Sequence, residues 1–469
     1  MDMIWFGKMC RNACSLIVTA LAAGFVVLFT LTGCGGGSPS YVISGTVTAG
    51  GEPLAAVTVT LDGDSSGTAI TDANGHYIFS DVPRGKYTVM PTRTGYTFLP
   101  IFRRVFLDGI DATGFDFSVV ISGKLATATH TAYLNSDGTV WTWGNNTAGQ
   151  LGNGTTTNNA FAAQVSGLSG VAAVAAGMDH TLALRGDGTV RAWGNNANGQ
   201  LGDGTTTQRS TPIQVNGLTG VRAIAAGYGH SVALKGDGTV WAWGNNANGQ
   251  LGDGTTLNSL VPQQVANMYG VTAIAAGNGH TVALAADGVA WTWGSNLYGQ
   301  LGIGTTADSP VPVPAGLPGV IAIAAGNGFT VALRDDLTTL TVWTWGRNTN
   351  GQLGNGTTTD SALPGIIISL SNVVAVVAGN DHGAALTNTG QVWTWGNNSN
   401  GQLGNGTTTP SVIPTQVSNL SGITLIAAGN AGTVALKLDN TIWSWGSNLY
   451  GQLGDGTTTD RLVPVKVQQ

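Results

Sequence analysis

Residues 243–255 read WGNNANGQLGDGT, and close copies of this stretch recur along the C-terminal three quarters of the chain. The leading tryptophan of the stretch occurs seven times, at Trp143, Trp193, Trp243, Trp293, Trp345, Trp395 and Trp445. The intervals between these tryptophans are 50, 50, 50, 52, 50 and 50 residues, and the two extra residues fall between Asp335 and Thr341. A fixed period of this length is typical of propellers and solenoids.

Each repeat predicts four short β-strands. In the third copy, Val221–Ala226 is an apolar run that ends at a glycine, and His230–Leu234 is a second apolar run. Asp237-Gly238 predicts a two-residue hairpin turn, after which Thr239–Trp243 alternates between the two faces of a strand. A segment that begins with proline, such as Pro212–Val215, supplies the fourth strand. Four strands in each unit, without helical periodicity, favour a propeller over a helical solenoid.

Seven units are enough to close a ring, so we expect an all-β fold in which residues 121–469 form a seven-bladed β-propeller. The first unit departs from the pattern, because Leu125-Ala126-Thr127 stands where the other units have Ala-Ala-Gly or a close variant. The chain ends at Pro464–Val467, one strand into the next copy. We therefore expect the two ends of the repeat region to share one blade.

At these residues the chain resembles the regulator-of-chromosome-condensation repeat family, over about residues 121–469. This family includes a nuclear nucleotide-exchange factor, a plant UV-B photoreceptor and secreted propellers that inhibit β-lactamases. The resemblance implies the fold and leaves the function open. No inserted wedge interrupts the repeats, and the tryptophan of the photoreceptor motif is absent from Gly227–Ser231. We therefore expect neither nucleotide exchange nor light sensing.

The N-terminus has the features of a secretion signal. Lys8 and Arg11 precede an uncharged apolar run, Ser15–Thr30, and the sequence Leu31-Thr32-Gly33-Cys34 resembles a bacterial lipobox. This resemblance implies that residues 1–33 are a lipoprotein signal peptide and that Cys34 carries the lipid anchor. Several acyl chains on one cysteine give stable anchoring.

A transmembrane anchor over Ile17–Thr30 is the alternative, but this run is short for a hydrocarbon core about 30 Å thick. Residues 34–40 are rich in Gly and Ser and predict a flexible tether. Gly35 rather than Asp follows the cysteine, which indicates a lipoprotein of the outer membrane. The sequence leaves open whether the protein faces the periplasm or the outside of the cell.

Residues 41–118 predict a separate, small antiparallel β-sandwich. Ser44–Thr48 and Val57–Leu61 alternate in polarity, and Asp72-Ala73-Asn74-Gly75 marks a turn between strands. The segments Gly51-Glu52-Pro53-Leu54 and Pro83-Arg84-Gly85-Lys86-Tyr87 resemble the carboxypeptidase-regulatory-like family. That resemblance implies a spacer or an adhesive stalk without catalytic activity. The polar residues that could be imagined as metal ligands are better explained as turn formers; they are Asp62, Asp64, Asp72 and His76.

Composition narrows the classes of function. The net charge of −6 disfavours nucleic acid as a partner. All three cysteines lie in the first 34 residues, so the body has no disulfide and no thiolate site. One histidine in each of five repeats cannot supply the three or four ligands of a zinc site, and we expect half-buried histidines that tie strands together; they are His130, His180, His230, His280 and His382. No catalytic set is identifiable, so we expect no enzyme activity, cofactor or metal.

The remaining function is binding, by a chain that we expect to be a monomer. Paired tryptophans such as Trp241 and Trp243 could stack on sugars, but we expect them to pack in the core. Positions that differ between otherwise similar repeats are the better candidates for contacts with a protein partner. We predict these to be Met178, Tyr228, Asn278, Leu297, Tyr298, Leu449 and Tyr450. A glycan-binding lectin and a structural envelope module remain alternatives.

Overall fold

The structure is a computed structural model that describes residues 39–49, 52–93, 97–99, 102–120, 124–336 and 339–468. All regular secondary structure in these ranges is β-strand. The predicted signal peptide, Cys34 and most of the tether lie outside the described residues. Within the described ranges, no helix has the length and apolar character needed to cross a membrane.

The N-terminal part of the chain forms two small sheets around one core, and we call it the sandwich domain. The order in the first sheet is β2-β1-β9-β7, with β5 also paired to β1, and the order in the second is β4-β3-β6-β8. Alternate residues of these strands point inward, and Ile43, Val47, Tyr77 and Phe117 are among those in the core. The strands are β1 (Ser40–Ala49), β2 (Glu52–Pro53), β3 (Thr58–Gly63), β4 (Gly67–Ile70), β5 (His76–Pro83), β6 (Gly85–Thr92), β7 (Thr97–Leu99), β8 (Arg103–Leu107) and β9 (Phe117–Val120).

The sandwich domain is not wholly antiparallel, so that part of the fold prediction was wrong. β1 and β9 pair in parallel, with Val47 opposite Phe117. Parallel pairing needs a long crossover, and the seven strands between β1 and β9 provide it. Asp72 forms a turn as predicted, because its Oδ1 accepts hydrogen bonds from the backbone N–H groups of Asn74 and His76, each at 2.8 Å.

Seven four-stranded antiparallel sheets follow, and we number them sheet 1 to sheet 7. Sheet 1 consists of β10 (Leu125–Thr127), β11 (His130–Leu134), β12 (Val140–Gly144) and β13 (Asn159–Gln164). Sheet 2 consists of β14 (Val171–Ala176), β15 (His180–Arg185), β16 (Val190–Gly194) and β17 (Arg209–Gln214). Sheet 3 consists of β18 (Val221–Ala226), β19 (His230–Lys235), β20 (Val240–Gly244) and β21 (Ser259–Gln264). Sheets 4 and 5 consist of β22 (Val271–Ala276), β23 (His280–Ala285), β24 (Ala290–Gly294), β25 (Ser309–Pro314); and β26 (Val320–Ala325), β27 (Phe329–Asp335), β28 (Leu340–Gly346), β29 (Ser361–Ile367). Sheets 6 and 7 consist of β30 (Val373–Ala378), β31 (His382–Thr387), β32 (Val392–Gly396), β33 (Ser411–Gln416); and β34 (Ile423–Ala428), β35 (Gly432–Lys437), β36 (Ile442–Gly446), β37 (Arg461–Lys466).

Every one of these sheets is built from four consecutive strands, so the prediction that the two chain ends share a blade was wrong. β37 pairs with β36 and completes sheet 7, whereas β10 to β13 complete sheet 1 on their own. The reason is the starting point of the repeat. Each sheet begins with the Ala-rich strand, so the proline-containing strand belongs to the sheet before it in the chain and not to the sheet after it.

A tryptophan joins each sheet to the one before it. The tryptophan is the second-to-last residue of the third strand, and its side chain is fully buried in all seven sheets. Its Nε1–H donates to the backbone carbonyl oxygen of a glutamine in the preceding sheet, at 2.8–3.0 Å. The pairs are Trp143 with Gln452, Trp193 with Gln150, Trp243 with Gln200, Trp293 with Gln250, Trp345 with Gln300, Trp395 with Gln352 and Trp445 with Gln402. Sheet 1 is thus joined to sheet 7 by the same contact that joins the other neighbours.

The five histidines of the repeats are fully buried and not half-buried, which corrects the sequence prediction. Each one bonds to the following sheet and not to a strand of its own sheet. The Nε2 atom of His180, for example, lies 3.0 Å from the hydroxyl of Ser231, which in turn donates to the carbonyl oxygen of Gln200 at 2.8 Å. Because the hydroxyl proton is used in this way, the hydroxyl accepts from Nε2–H of the histidine, and burial of Nδ1 without a partner favours the neutral form of the ring.

The seven sheets define two faces. Connections from the first to the second strand and from the third to the fourth strand emerge at one end of each sheet, which we call the upper face. Turns from the second to the third strand, and connections to the next sheet, emerge at the lower face. The sandwich domain contacts the lower face: Thr48 Oγ1 donates to the Asn388 carbonyl oxygen at 3.2 Å, and Arg104 Nη2 to that of Ala286 at 3.4 Å.

A pair of glycines in one loop tests how much the tryptophan contacts contribute to stability. Gly354 and Gly356 both have positive φ, at 63° and 83°, so alanine is strained at either position. A Cβ atom at Gly354 would lie 2.8 Å from Trp395 Cδ1, whereas one at Gly356 has nothing within 4 Å. We expect Gly356→Ala to cost about 1 kcal/mol and Gly354→Ala roughly 1–3 kcal/mol more. Denaturant unfolding measures both; equal losses would contradict the importance of the junction.

The buried histidines predict a loss of stability in mild acid. Burial lowers the pKa of His130, His180 and His280 from 6.5 to about 3, and that of His230 and His382 to about 4. In the unfolded chain these rings bind protons near pH 6.5, so between pH 6.5 and 4 the unfolded state holds more protons. The free energy of unfolding should therefore decrease as the pH is lowered from 6.5 to 4, by up to about 1.4 kcal/mol per pH unit for each histidine.

A substitution that the chain itself contains provides the control. Phe329 occupies the histidine position in sheet 5. His382→Phe should reduce the slope of the unfolding free energy against pH by the contribution of one histidine. This reduction is expected whether or not the variant is less stable at pH 7. If the slope between pH 6.5 and 4 were unchanged, His382 would not be a neutral ring in the folded protein.

Candidate functional site

The upper face has a shallow central opening, which we call the mouth. Its volume is about 100 Å³, and it is lined by the ends of the first strand of all seven sheets. Small residues occupy these ends, such as Ala226 and Gly227, because the seven strands converge there. The repeat places one variable residue next to each end. Around the mouth these residues are, in order, Ala128, Met178, Tyr228, Asn278, Asn327, Asn380 and Asn430.

Backbone hydrogen bonds between neighbouring sheets hold the rim of the mouth. The N–H of Tyr228 donates to the carbonyl oxygen of Gly277 at 3.2 Å, and the N–H of Asn278 donates to that of Gly326 at 3.2 Å. The N–H of Asn430 donates to the carbonyl oxygen of Ala128 at 3.2 Å, which links sheet 7 to sheet 1. The rim is therefore fixed in position before any ligand arrives.

The rim has two chemically different halves. Ala128, Met178 and Tyr228 form a continuous apolar arc. Four asparagines form the amide arc on the other side, and their side chains bond in pairs: Asn278 Nδ2 donates to Asn327 Oδ1 at 2.8 Å, and Asn380 Nδ2 to Asn430 Oδ1 at 2.6 Å. The sequence analysis singled out Met178, Tyr228 and Asn278 separately, and the structure brings these three together here.

The loops between the third and fourth strands present the other predicted residues on the same face. In sheet 4, Asn296 organises the loop, because its Oδ1 accepts from the backbone N–H of Leu301 and its Nδ2 donates to the carbonyl oxygen of Thr305, each at 2.9 Å. This geometry leaves Leu297 at the tip of the loop, 66% exposed. Leu449 is equally exposed at the tip of the corresponding loop in sheet 7.

The predicted tyrosines differ in their surroundings. Tyr228 is 45% exposed at the mouth. Tyr298 is half-buried, with its ring 5.4 Å from the guanidinium carbon of Arg347. Arg347 in turn pairs with Asp381 at 3.1 Å; burial raises the pKa of Asp381, and Arg347 opposes this effect. Tyr450 is half-buried as well. Tyr298 thus contributes to packing between sheets, so its leucine neighbour is the more accessible anchor.

Sequence reasoning missed Leu257, which lies in the corresponding loop of sheet 3 and is 75% exposed. The signal was present, because most sister repeats have threonine at this position, as at Thr207 and Thr459. Leu257, Leu297 and Leu449 are thus three exposed apolar side chains on loops of the upper face. Single exposed apolar side chains are common on protein surfaces, so these three are candidates for partner contacts because they interrupt the repeat.

The same loops carry carboxylates that are already engaged. Asp203 accepts from the N–H of Thr205 at 2.9 Å and pairs with Arg209 at 2.8 Å. Burial raises the pKa of Asp203, but the hydrogen bonds from Thr205 and Arg209 outweigh burial and lower it. Within the described ranges, no group of three or more His, Cys, Asp or Glu side chains is arranged to hold a metal ion.

Comparisons with known families agree with this architecture. Residues 115–421 match the model of the RCC1-like domain, and residues 423–452 and 439–469 match models of the regulator of chromosome condensation (RCC1) repeat. Residues 42–120 match the carboxypeptidase regulatory-like domain. None of the curated proteins matches the chain.

Three similar solved structures represent two proteins, one human and one from yeast. Human WBSCR16 is 23% identical, with a TM-score of 0.64, over 71% of this chain and 94% of its own. Yeast RCC1 (Prp20), solved bound to Kap60, is 24% identical, with a TM-score of 0.63, over 70% and 83%. Prp20p from Saccharomyces cerevisiae, described with its binding to Gsp1p and histones, is 25% identical, with a TM-score of 0.64, over 72% and 88%. The chain therefore belongs to the RCC1-like domain family, with a carboxypeptidase regulatory-like domain in front of its repeats.

Proposed function

We propose that this protein is a non-enzymatic binding protein of the cell envelope, in which the seven sheets form a closed seven-bladed propeller and the upper face binds another protein. One observation carries the proposal. Tyr228, Leu257, Leu297 and Leu449 are exposed, break the repeat and lie on the upper face, whereas the sandwich domain contacts the lower face, where Tyr269, Ile368 and Leu438 are exposed as well. Yeast Prp20p, a relative with this fold, was described with its binding to Gsp1p and histones, which shows that the fold suits protein partners.

A protein partner fits the upper face better than a glycan does. A lectin with several equivalent sites needs the same residues in each repeat. Instead, the exposed leucines occur in sheets 3, 4 and 7, and the mouth has one tyrosine and one methionine. Apolar anchors surrounded by polar loops are typical of protein interfaces. The seven junction tryptophans are fully buried and are not available to stack on sugars, and Trp241, the partner of Trp243 in its pair, is half-buried and packs against the core.

Anchoring through Cys34 would direct the upper face away from the membrane. Thr48, near the end of β1, contacts the lower face. Ser40, where the tether joins β1, lies eight residues earlier, which corresponds to about 26 Å of extended strand. The sandwich domain would thus act as a spacer between the lipid and the ring. The low charge of the repeats gives no reason to expect nucleic acid as a partner.

The binding face can be tested with paired variants. We expect the double variant Leu297→Glu, Leu449→Glu to lose at least tenfold in recovery of its specific partner from envelope extract, because apolar interface anchors contribute roughly 1–3 kcal/mol each. Quantitative mass spectrometry of material captured by the immobilised chain measures this recovery. The melting temperature should change little, because both side chains are exposed.

Tyr269→Glu is the matched control, since Tyr269 is an exposed apolar residue on the lower face. It should capture the same proteins as the unmodified chain. Equal loss in the control and the double variant, or no loss in either, would contradict binding at the upper face. A multivalent response on a glycan array, unaffected by the leucine changes, would favour the lectin alternative.

The lipid anchor has a separate test. Cys34→Ala removes the thiol that the lipobox resemblance assigns to acylation. The variant should accumulate as an unprocessed precursor and take up no labelled palmitate, whereas the unmodified protein should be labelled and fractionate with the outer membrane. Normal palmitate labelling of the variant would rule out Cys34 as the acylated residue.

A further inference from the structure

We propose that the mouth of the upper face binds the side chain of a tyrosine that the partner protein inserts into it. This inference rests on the proposed function, because it assigns chemistry to one part of the same face. The mouth lies at the centre of the upper face, and its rim is fixed by hydrogen bonds between sheets. Central, preorganised pockets are where interface anchors contribute most.

The lining selects a neutral group. Among the described residues that line the mouth, there is no Lys, Arg, His, Asp or Glu. A charged side chain that entered the mouth would lose part of its hydration without gaining an opposite charge, which is unfavourable. Cationic and anionic anchors are therefore disfavoured.

The amide arc offers unused hydrogen-bonding groups. Each pair of asparagines is joined by one hydrogen bond. These bonds use Nδ2 of Asn278 and Asn380 as donors and Oδ1 of Asn327 and Asn430 as acceptors. The other amide atom of each asparagine is left to bind a ligand: Nδ2 of Asn327 and Asn430 can donate, and Oδ1 of Asn278 and Asn380 can accept. A phenol hydroxyl both donates and accepts one hydrogen bond, so it can use a donor and an acceptor of this arc together.

The apolar arc offers a surface for an aromatic ring. The exposed ring of Tyr228 can stack with an incoming ring, and the Met178 side chain lines the mouth beside it. Offset aromatic pairs and contacts between sulfur and an aromatic ring are both favourable. A tyrosine placed across the mouth would therefore meet an apolar wall on one side and amides on the other, matching the two halves of its own side chain.

Size favours a single ring over a sugar. The mouth holds about 100 Å³. A cavity of about 150 Å³ holds benzene when fully enclosed, so an open mouth of this volume accepts most of one phenol ring. A pyranose ring is bulkier than a phenol ring and carries hydroxyls around its edge, and some of these would lie against Met178 and Tyr228, whose side chains offer no strong hydrogen-bonding group except the Tyr228 hydroxyl.

Small probes test the inference without knowledge of the partner. The chain from Gly35 onward is titrated with N-acetyl-L-tyrosinamide, and saturation-transfer NMR reports binding. Matched probes are N-acetyl-L-phenylalaninamide, which lacks the hydroxyl, N-acetyl-L-lysinamide, which is charged, and N-acetylglucosamine. We expect the tyrosine probe to bind at least fivefold more tightly than the phenylalanine probe, and the lysine probe not to bind.

Variants then locate the site. Tyr228→Ala and Asn430→Ala should each weaken the binding of the tyrosine probe at least fivefold. Asn248→Ala is the control: Asn248 lies on the upper face outside the mouth, and the equivalent residue in sheet 1 is Ala148. This variant should bind the probe normally, and all three should retain the melting temperature of the parent within a few degrees.

Each other outcome overturns the inference. Equal binding of the tyrosine and lysine probes, tighter binding of the sugar, or unchanged binding in both mouth variants would remove the mouth as a tyrosine site. The leucine variants that test the proposed function lie outside the mouth. If those variants lose partner capture while the unmodified chain does not bind the tyrosine probe, the upper face is still the binding face and only the tyrosine site is refuted.

Discussion

The fold of the repeats depends on one backbone carbonyl in each unit, that of the glutamine in the Gly-Gln-Leu-Gly loop. This oxygen accepts a hydrogen bond from the indole N–H of the tryptophan in the next sheet. In most units it also accepts one from a hydroxyl of that next sheet; at Gln200 in sheet 2, the donors are Trp243 and Ser231 of sheet 3. A buried carbonyl that accepts two bonds from a neighbour fixes both the distance and the rotation between two sheets. It also explains the period of the sequence, because the loop and the tryptophan must recur together.

The same junction accounts for the glycines around it. A Cβ atom at Gly302 would lie 2.7 Å from the indole nitrogen of Trp345, so the loop can approach the tryptophan only without a side chain there. The histidines add a second bond across the junction where the next sheet offers a hydroxyl. In sheet 5 the histidine is replaced by Phe329, and the corresponding residue of sheet 6 is Gly383, which has no hydroxyl. Phe329 and Gly383 are thus departures that match each other, whereas sheet 7 has Gly432 at the histidine position although Thr131 of sheet 1 offers a hydroxyl.

Much of this was predictable from the sequence, because the repeat carries it. The period, the all-β class, the hairpin at Asp237-Gly238 and the packing of Trp243 follow from local patterns that occur seven times. Contacts between repeats do not show in a local pattern. The spacing therefore gave no indication that His180 bonds to the next sheet, or that the last proline strand completes its own sheet. The parallel pairing of β1 with β9 was missed for the same reason, since it joins segments about 70 residues apart.

The candidate site was predictable only as a set of exceptions. Departures from the repeat identified Tyr228 and Leu297, but they did not distinguish an exposed side chain from one that covers a neighbouring sheet, as Tyr298 does. Leu257 was missed because a single apolar residue in a polar loop gives a weak signal. The mouth was not predictable at all, because its two arcs are assembled from seven segments that are each 50 residues apart or so in the chain.

The path of the chain has a consequence for building on this scaffold. β10 begins at the lower face, which the sandwich domain contacts, and β37, as a fourth strand, runs back towards the same face. A reporter enzyme or an affinity tag fused behind β37 would therefore emerge on the side of the sandwich domain. The loops of the upper face could then be diversified in a display library without obstruction from the fused group. Such changes would leave in place the tryptophan junctions that hold the sheets together.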